Sequence, residues 1–271
     1  MTTESQVLRP GDAGYPRRLQ ALGCSRELYV RGNLALAQDG NPVVAIVGAR
    51  AATADGMARA HAIGRHLAKR GVHVVSGGAL GIDGAAHRGV LAGEGPGQKI
   101  VVLGSGVDVA YPSRHAQLFE DVVARGGLLV SMFPLGMQPR RGTFLQRNEL
   151  IAALADAVVV IEAQVKSGSL ATAAHARGLG RSLGAAPGSP GCQRLVGQGA
   201  GLVEDGEDVV RILEGNPRMP APVNLDEDAQ RVRDALVQGA KGIDQIVRVT
   251  GLSVRAVLRA LPQLESSARL Q

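Results

Sequence analysis

Six short apolar runs punctuate the chain between Pro42 and Leu213: VVAIVG (43–48), VHVVSG (72–77), KIVVLG (99–104), GLLVSMF (127–133), AVVVIEA (157–163) and RSLGAAPG (181–188). Most are continuous rather than alternating, which is the pattern of strands buried on both faces of a parallel sheet. Between them lie stretches with helical spacing. Residues 56–70 put Ala, Ile and Leu on one stripe and Arg59, His66, Lys69 and Arg70 off it, before Gly71. Further helices are expected from Ser113 to Arg125, Arg147 to Leu154 and Ser169 to Arg177, with Asp83 and His87 at the start of another. A strand–helix alternation of this kind predicts an α/β domain with a doubly wound, mostly parallel sheet over residues 42–214.

Residues 1–41 form a lead-in with a helix-like piece from Tyr15 to Leu22 and a strand candidate, ELYVRG (27–32). It is too short for a core of its own and is expected to pack on the main domain. Residues 215–224, GNPRMPAPVN, hold three prolines without periodicity and read as a linker. The segment 225–271 follows. Asp226 to Val237, Ile243 to Val249 and Ser253 to Leu264 have helical spacing, and T-G-L-S (250–253) supplies a tight connection. The tail therefore reads as a small all-α, winged-helix-like domain of helix-turn-helix type, without an evident strand hairpin.

Composition narrows the function. Trp is absent and Tyr and Phe number three each, so a binding surface built on many stacked rings is excluded. Lys and Arg exceed Asp and Glu by six, and only Lys69, Lys99, Lys166 and Lys241 are lysines, so arginine carries the positive charge. Eight basic residues face three acidic ones between Arg125 and Ala200. The tail, at seven basic to six acidic, is nearly neutral. Cys24 and Cys192 stand alone, which argues against a disulfide framework or a zinc site, and no histidine spacing suggests a metal. The N-terminus has no signal-peptide pattern and no window is apolar enough to span a membrane, so a cytoplasmic protein without a membrane role is expected.

The glycines sit where ligands bind in an open α/β sheet, at the carboxyl ends of the strands. Gly48, Gly77 with Gly78, Gly104 and Gly168 each follow an apolar run, and Arg50, Ser167 and Ser169 stand beside them. Such turns can bring main-chain amides and helix N-termini to phosphate, although strand–helix turns also use glycine for backbone geometry alone. Arg140, Arg141, Arg147 and Lys166 fall on the same edge in topology, an arrangement suited to a repeated phosphate backbone. The G-x-G-x-x-G fingerprint is missing after the first run, where the chain reads G-A-R-A-A-T-A-D-G, so no dinucleotide cofactor is expected. Asp83 and His87, four residues apart, fit either a base with its orienter or a helix-terminal carboxylate beside a packing histidine.

VAIVGAR (44–50), VVSGGALGIDGAAH (74–87), VVLGSGVDVAYP (101–112), FLQRNELIAAL (144–154), VVVIEAQVKSGSLATAAHA (158–176) and APG (186–188), in this order, resemble the DNA-processing protein A (DprA) family. The lead-in and tail are similar to the family's corresponding segments. The resemblance implies an extended Rossmann-like domain in a non-enzymatic homodimer. Such a protein would bind single-stranded DNA and help load the RecA recombinase on incoming strands in natural transformation. It implicates Gly48 and Arg50, the loop residues Arg140, Arg141 and Phe144, the pair Arg147 and Asn148, and the turn Lys166, Ser167, Gly168 and Ser169, beside the strand-end glycines Gly77, Gly78 and Gly104 read above. Departures from the family pattern are Met132 in place of Glu, Leu145 in place of Pro and Glu149 in place of Arg. Glu149 is expected to weaken phosphate attraction on the rim.

Two other functions compete. Nucleoside-monophosphate phosphoribohydrolases use a P-G-G-x-G-T-x-x-E turn, and the comparable turn here is S-G-S-L-A-T-A-A-H, with His175 at the place of the glutamate. Without that carboxylate, glycosidic hydrolysis lacks its evident acid–base group. A duplex-binding role for the tail rests on Arg255 and Arg259, four apart on one helical face.

Overall fold

The computed structural model describes residues 2–220 and 226–268, so the end of the expected linker and the last three residues lie outside the described residues. In chain order the elements are β1 (Thr2–Leu8), α1 (Arg17–Ala21), β2 (Leu28–Gly32), β3 (Val43–Val47), α2 (Ala54–Lys69), β4 (His73–Ser76), α3 (Ile82–Ala92) and β5 (Lys99–Leu103). Then come α4 (Ala116–Ala124), β6 (Leu128–Ser131), α5 (Arg141–Leu154), β7 (Ala157–Val160), α6 (Gly168–Gly178), β8 (Ser182–Ala185), α7 (Pro190–Gly197), β9 (Gly201–Leu202) and α8 (Gly206–Leu213). The tail adds α9 (Glu227–Val237), α10 (Ile243–Thr250) and α11 (Val254–Ala268), with no strand among its described residues.

One nine-stranded sheet runs in the order β1-β2-β6-β5-β4-β3-β7-β8-β9. From β6 to β9 all pairs are parallel, with Ala45 opposite Val75 on one side and Val158 on the other. The chain reverses its direction of winding between β3 and β7, the feature of doubly wound sheets. Period-two alternation sends Val43, Ala45 and Val47 to one face, under α1, α5, α6 and α7. It sends Val44 and Ile46 to the other, under α2, α3 and α8. Beside that second face, α4 packs Phe119 and Val122 on Val101 and Leu129. Both faces are covered, so the strands must be apolar at every position.

The lead-in contributes two antiparallel strands to one edge of the sheet, with Val30 opposite Val130. β1 was not legible as a strand because its residues, TTESQVL, are mostly polar and it pairs only with β2. The Arg18 guanidinium of α1 grips Asp156 at 2.9 and 2.6 Å, and the same carboxylate accepts the Val43 amide at 2.8 Å. Tyr15, fully buried, donates its hydroxyl to the Arg26 carbonyl at 2.8 Å. The Asp156 bonds tie the lead-in to the start of β3 and the turn after α5, and the Tyr15 bond holds the lead-in together. Helix starts follow side-chain caps: Thr53 Oγ1 accepts the Gly56 amide at 3.1 Å, and Asp205 caps α8 through the Glu207 and Asp208 amides. In the tail, Val232, Ile246, Val257 and Ala260 form a separate small core. No described helix is long and apolar enough to cross a membrane.

The Arg18 guanidinium and the Val43 amide outweigh the effect of burial and hold the Asp156 carboxyl below its ordinary value. Burial alone would raise it. A depressed carboxyl contributes stability that is present above its unfolded value of 3.8 and is lost as pH falls through the lower folded value. Asp156→Asn is therefore expected to cost about 1–3 kcal/mol at neutral pH by denaturant unfolding. The gap from wild type should narrow as pH falls from 3.8 towards the lower folded value, below which the wild-type carboxyl is itself protonated.

Candidate nucleic-acid interface

The carboxyl edge of the sheet is dominated by one buried cation. Arg147, on α5, is only 5% exposed and its guanidinium lies directly over Gly77 at the end of β4. A Cβ on Gly77 would stand 1.1 Å from Arg147 Nη1, so the guanidinium occupies the space that a side chain there would take and would have to shift to admit one. Nη1 donates to the Val102 carbonyl at 3.3 Å and lies 3.8 Å from Asp83 Oδ2. Nε has no hydrogen-bond partner among the described residues. Burial lowers Arg147 from its ordinary value, opposed by the Asp83 charge. Burial likewise pushes the Asp83 carboxyl up, against the Arg147 charge and two main-chain amides. The guanidinium is taken out of water without a full complement of acceptors.

A small open hollow forms around it, lined by Arg50, Gly77, Ala79, Leu80, Gly104, Tyr111, Pro112, Phe144 and Arg147. Arg50, exposed after β3, stacks its guanidinium 4.8 Å from the centre of the Phe144 ring. Tyr111 lies 5.5 Å from the same ring and is exposed. A Cβ on Gly104 would meet Phe144 at 2.8 Å, so this glycine makes room for the ring. Arg50, Gly77, Gly104, Phe144 and Arg147 thus come together. Tyr111 was missed, and its only signal was that it is one of three tyrosines in a ring-poor chain.

The other candidates occupy different places. Gly48 packs on Ile82, where a Cβ would meet Cγ1 at 2.6 Å, and Gly78 lies behind the hollow at φ +66° against Phe119. α5 begins six residues earlier than expected, which puts Arg141 in its first turn and Arg140 at its cap. Both are exposed, with no carboxylate partner among the described residues. Asn148 Nδ2 donates to the Gly168 carbonyl at 3.1 Å and so ties α5 to the start of α6. There Ser167 caps the helix and its hydroxyl lies 2.7 Å from that of Ser169, beside the exposed Lys166. Glu149 does not line the hollow. It pairs with Arg26 at 3.2 Å in an apolar groove between α1, α5 and α6, which also holds Met132 and His175.

Several of the main-chain amides at these glycine turns are already committed. Asp83 Oδ2 accepts the Gly77 and Ala79 amides at 3.2 and 3.3 Å. Glu162, after β7, accepts the Thr53 amide and hydroxyl at 3.0 and 2.8 Å, and its carbonyl takes the Ala49 amide. The crevice between β3 and β7 is therefore already filled by a carboxylate at the N-terminus of α2, where an anion would otherwise be favoured. Asp83 and His87 do not form an acid–base pair. His87 is fully buried, neither ring nitrogen has a hydrogen-bond partner among the described residues, and burial drives it down to about 3. Among the described residues no cluster is placed to hold a metal.

Sheet order, covered faces and a cationic hollow at the carboxyl edge define an extended Rossmann-like α/β protein, joined here to a winged-helix domain. The chain belongs to the DNA recombination-mediator protein A family: the family profile matches residues 6–214, and that of the DprA winged helix domain matches 216–266. A DNA processing protein DprA from Mycobacterium tuberculosis is 42% identical over 253 residues, covering 88% of this chain and 64% of that one. The chain thus spans less than two thirds of that relative. Protein Smf from Synechocystis is 34% identical over 96% of this chain and 76% of its own. Among solved structures, DprA from Streptococcus pneumoniae superposes with a TM-score of 0.69 at 35% identity, covering 76% of this chain and 74% of that one. DprA from Helicobacter pylori, described for its single-stranded DNA binding mode, superposes at 0.68 and 29% identity, covering 79% and 98%.

Because the Gly77 site and the Arg147 guanidinium compete for one volume, the two positions should be strongly coupled. Gly77→Ala is expected to cost about 1–3 kcal/mol in the wild type and less than about 0.5 kcal/mol in the Arg147→Ala background, measured by a double-mutant cycle of unfolding. Equal costs in both backgrounds would contradict the packing described.

Proposed function

We propose that this protein binds single-stranded DNA at the Arg147 hollow. The observation that carries the reading is the guanidinium of Arg147, buried, 3.8 Å from Asp83 and with Nε unpartnered, beside an open surface. A phosphate reaching the hollow supplies the acceptors that Asp83 supplies only in part, and a charge-assisted bond in such a place is stronger than one in water. Arg50 adds a second guanidinium. Phe144 and Tyr111 offer two ring faces for a base, which is sequence-tolerant because every base has a π-face. Arg140 and Arg141 at the start of α5, and Lys166 at the start of α6, extend the positive field along the strand's path. The side chains, rather than the glycine amides, do the gripping. The H. pylori neighbour described for single-stranded DNA binding supports the choice of ligand.

In this reading the protein acts in the cytoplasm as a homodimer that passes bound strands to the RecA recombinase during natural transformation, and it catalyses no reaction. Family membership supports that role. The phosphoribohydrolase alternative loses its footing because His175, at the place of the required glutamate, lines the α5–α6 groove and not the hollow.

Fluorescence anisotropy with labelled oligothymidylate tests the reading. Arg50→Ala and Arg147→Ala should each weaken binding by about 1–3 kcal/mol, and Phe144→Ala by a similar amount through lost stacking. The affinity should fall with salt at about 0.7 in log–log slope per phosphate neutralised, and duplex of equal length should bind less well. Wild-type affinity in the Arg50/Arg147 double variant, or release of adenine from AMP by the intact protein, would overturn it.

A further inference from the structure

A second concentration of unpaired cations lies between α3 and α4. Arg88 and Leu91 of α3, Arg114 in the turn before α4, Leu118 and Asp121 on α4, and Arg125 just after it wall a shallow depression of about 420 Å³. The three arginines are exposed, and none is within ion-pair distance of a carboxylate among the described residues. Elsewhere Arg18, Arg26, Arg31 and Arg70 are each held by a carboxylate. The one acid in the depression, Asp121, accepts from Gln117 at 3.0 Å. Arg125 is fixed in place by its bond to the Leu91 carbonyl at 3.2 Å.

The depression is joined to the Arg147 hollow by a short length of chain. Tyr111 and Pro112 line the hollow, and Arg114, two residues on, lines the depression. His115 bridges the two regions from below. Its Nδ1 lies 2.9 Å from the Gly78 carbonyl behind the hollow, and its ring and Arg88 Nη1 both crowd Gly84, where an added Cβ would meet them at 2.4 and 3.0 Å. Three guanidinium forks over a floor of Leu91, Ala92 and Leu118 suit a phosphodiester chain whose sugars and base edges rest on apolar surface.

We propose that the Arg88–Arg114–Arg125 depression is a second phosphate-binding tract, which takes the part of a single strand that runs on past the Arg147 hollow. It rests on the single-strand reading above. A strand confined to the hollow does not touch it, so its contribution depends on length. The test compares oligothymidylates of about six and about thirty nucleotides with the wild type and the Arg88→Ala/Arg114→Ala/Arg125→Ala variant. The short strand should bind both proteins alike. The long strand should bind the variant about tenfold more weakly, with the salt slope reduced by about 2, or three phosphates at about 0.7 each. The Arg88→Ala/Arg114→Ala variant keeps the Arg125–Leu91 bond and guards against misfolding; its slope should fall by about 1.4. Equal effects at both lengths, no loss with the long strand, or a loss confined to duplex would overturn the tract while leaving the hollow intact. Failure of the wild type to bind the short strand would overturn the reading of the hollow and the tract together.

Discussion

A guanidinium held out of water with an incomplete set of acceptors is the constraint around which this molecule is arranged. Removing an ionised group from solvent costs several kcal/mol unless its charge is matched. Arg147 is matched only in part, by the Val102 carbonyl and a carboxylate 3.8 Å away. What keeps it there is the fold. α5 is seated on the sheet by Leu150, Ile151 and Leu154, Gly77 leaves room for the head group, and Asp83 is itself immobilised by two main-chain amides. The site is therefore set before any ligand arrives, which keeps the ordering cost of binding small.

Two carboxylates decide what the carboxyl edge can accept. Glu162 sits on the N-terminal amides of α2, and Asp83 on the turn after β4. In a dinucleotide-binding sheet the first of these is the place for a pyrophosphate; here both carry negative charge that the protein supplies from its own chain. The open surface is displaced onto the ends of β4 and β5, where Arg50, Phe144 and Tyr111 surround the buried cation. Rings and forks rather than an amide cradle suit a flexible, repeating ligand with both bases and phosphates, and the same logic extends to the arginines between α3 and α4.

The central strands were legible in the sequence because burial on both faces leaves no polar position in Val43–Val47 or Ala157–Val160. β1 was not legible, since an edge strand with polar residues has no such signature, and neither was β9, at two residues. The beginning of α5 was placed too late because Arg141, Gly142 and Thr143 carry no apolar stripe; the start is set by reciprocal bonds between Thr143 Oγ1 and the Arg140 main chain. For the site, residue type identified the cations correctly as a group but not their states. Arg147 and Arg50 look alike in sequence, yet one is buried and the other exposed, a difference that depends on Gly77, 70 positions away in the chain. Glu149 looked like a rim residue by its neighbours, but it lies two residues along α5 from Arg147, about 200° around the helix, and so faces the Arg26 groove. The roles of Glu162 and Asp83 depend on tertiary contacts that no spacing encodes.

The most direct test is a crystal structure of the protein with a short oligothymidylate. The account predicts a phosphate within hydrogen-bond distance of the Arg147 and Arg50 guanidinium groups, a base against Phe144, and the Asp83 and Glu162 carboxylates still on their amides. An oligonucleotide bound elsewhere with the Arg147 hollow empty, or one lying on the Gly77 and Thr53 amides with those carboxylates displaced, would contradict it.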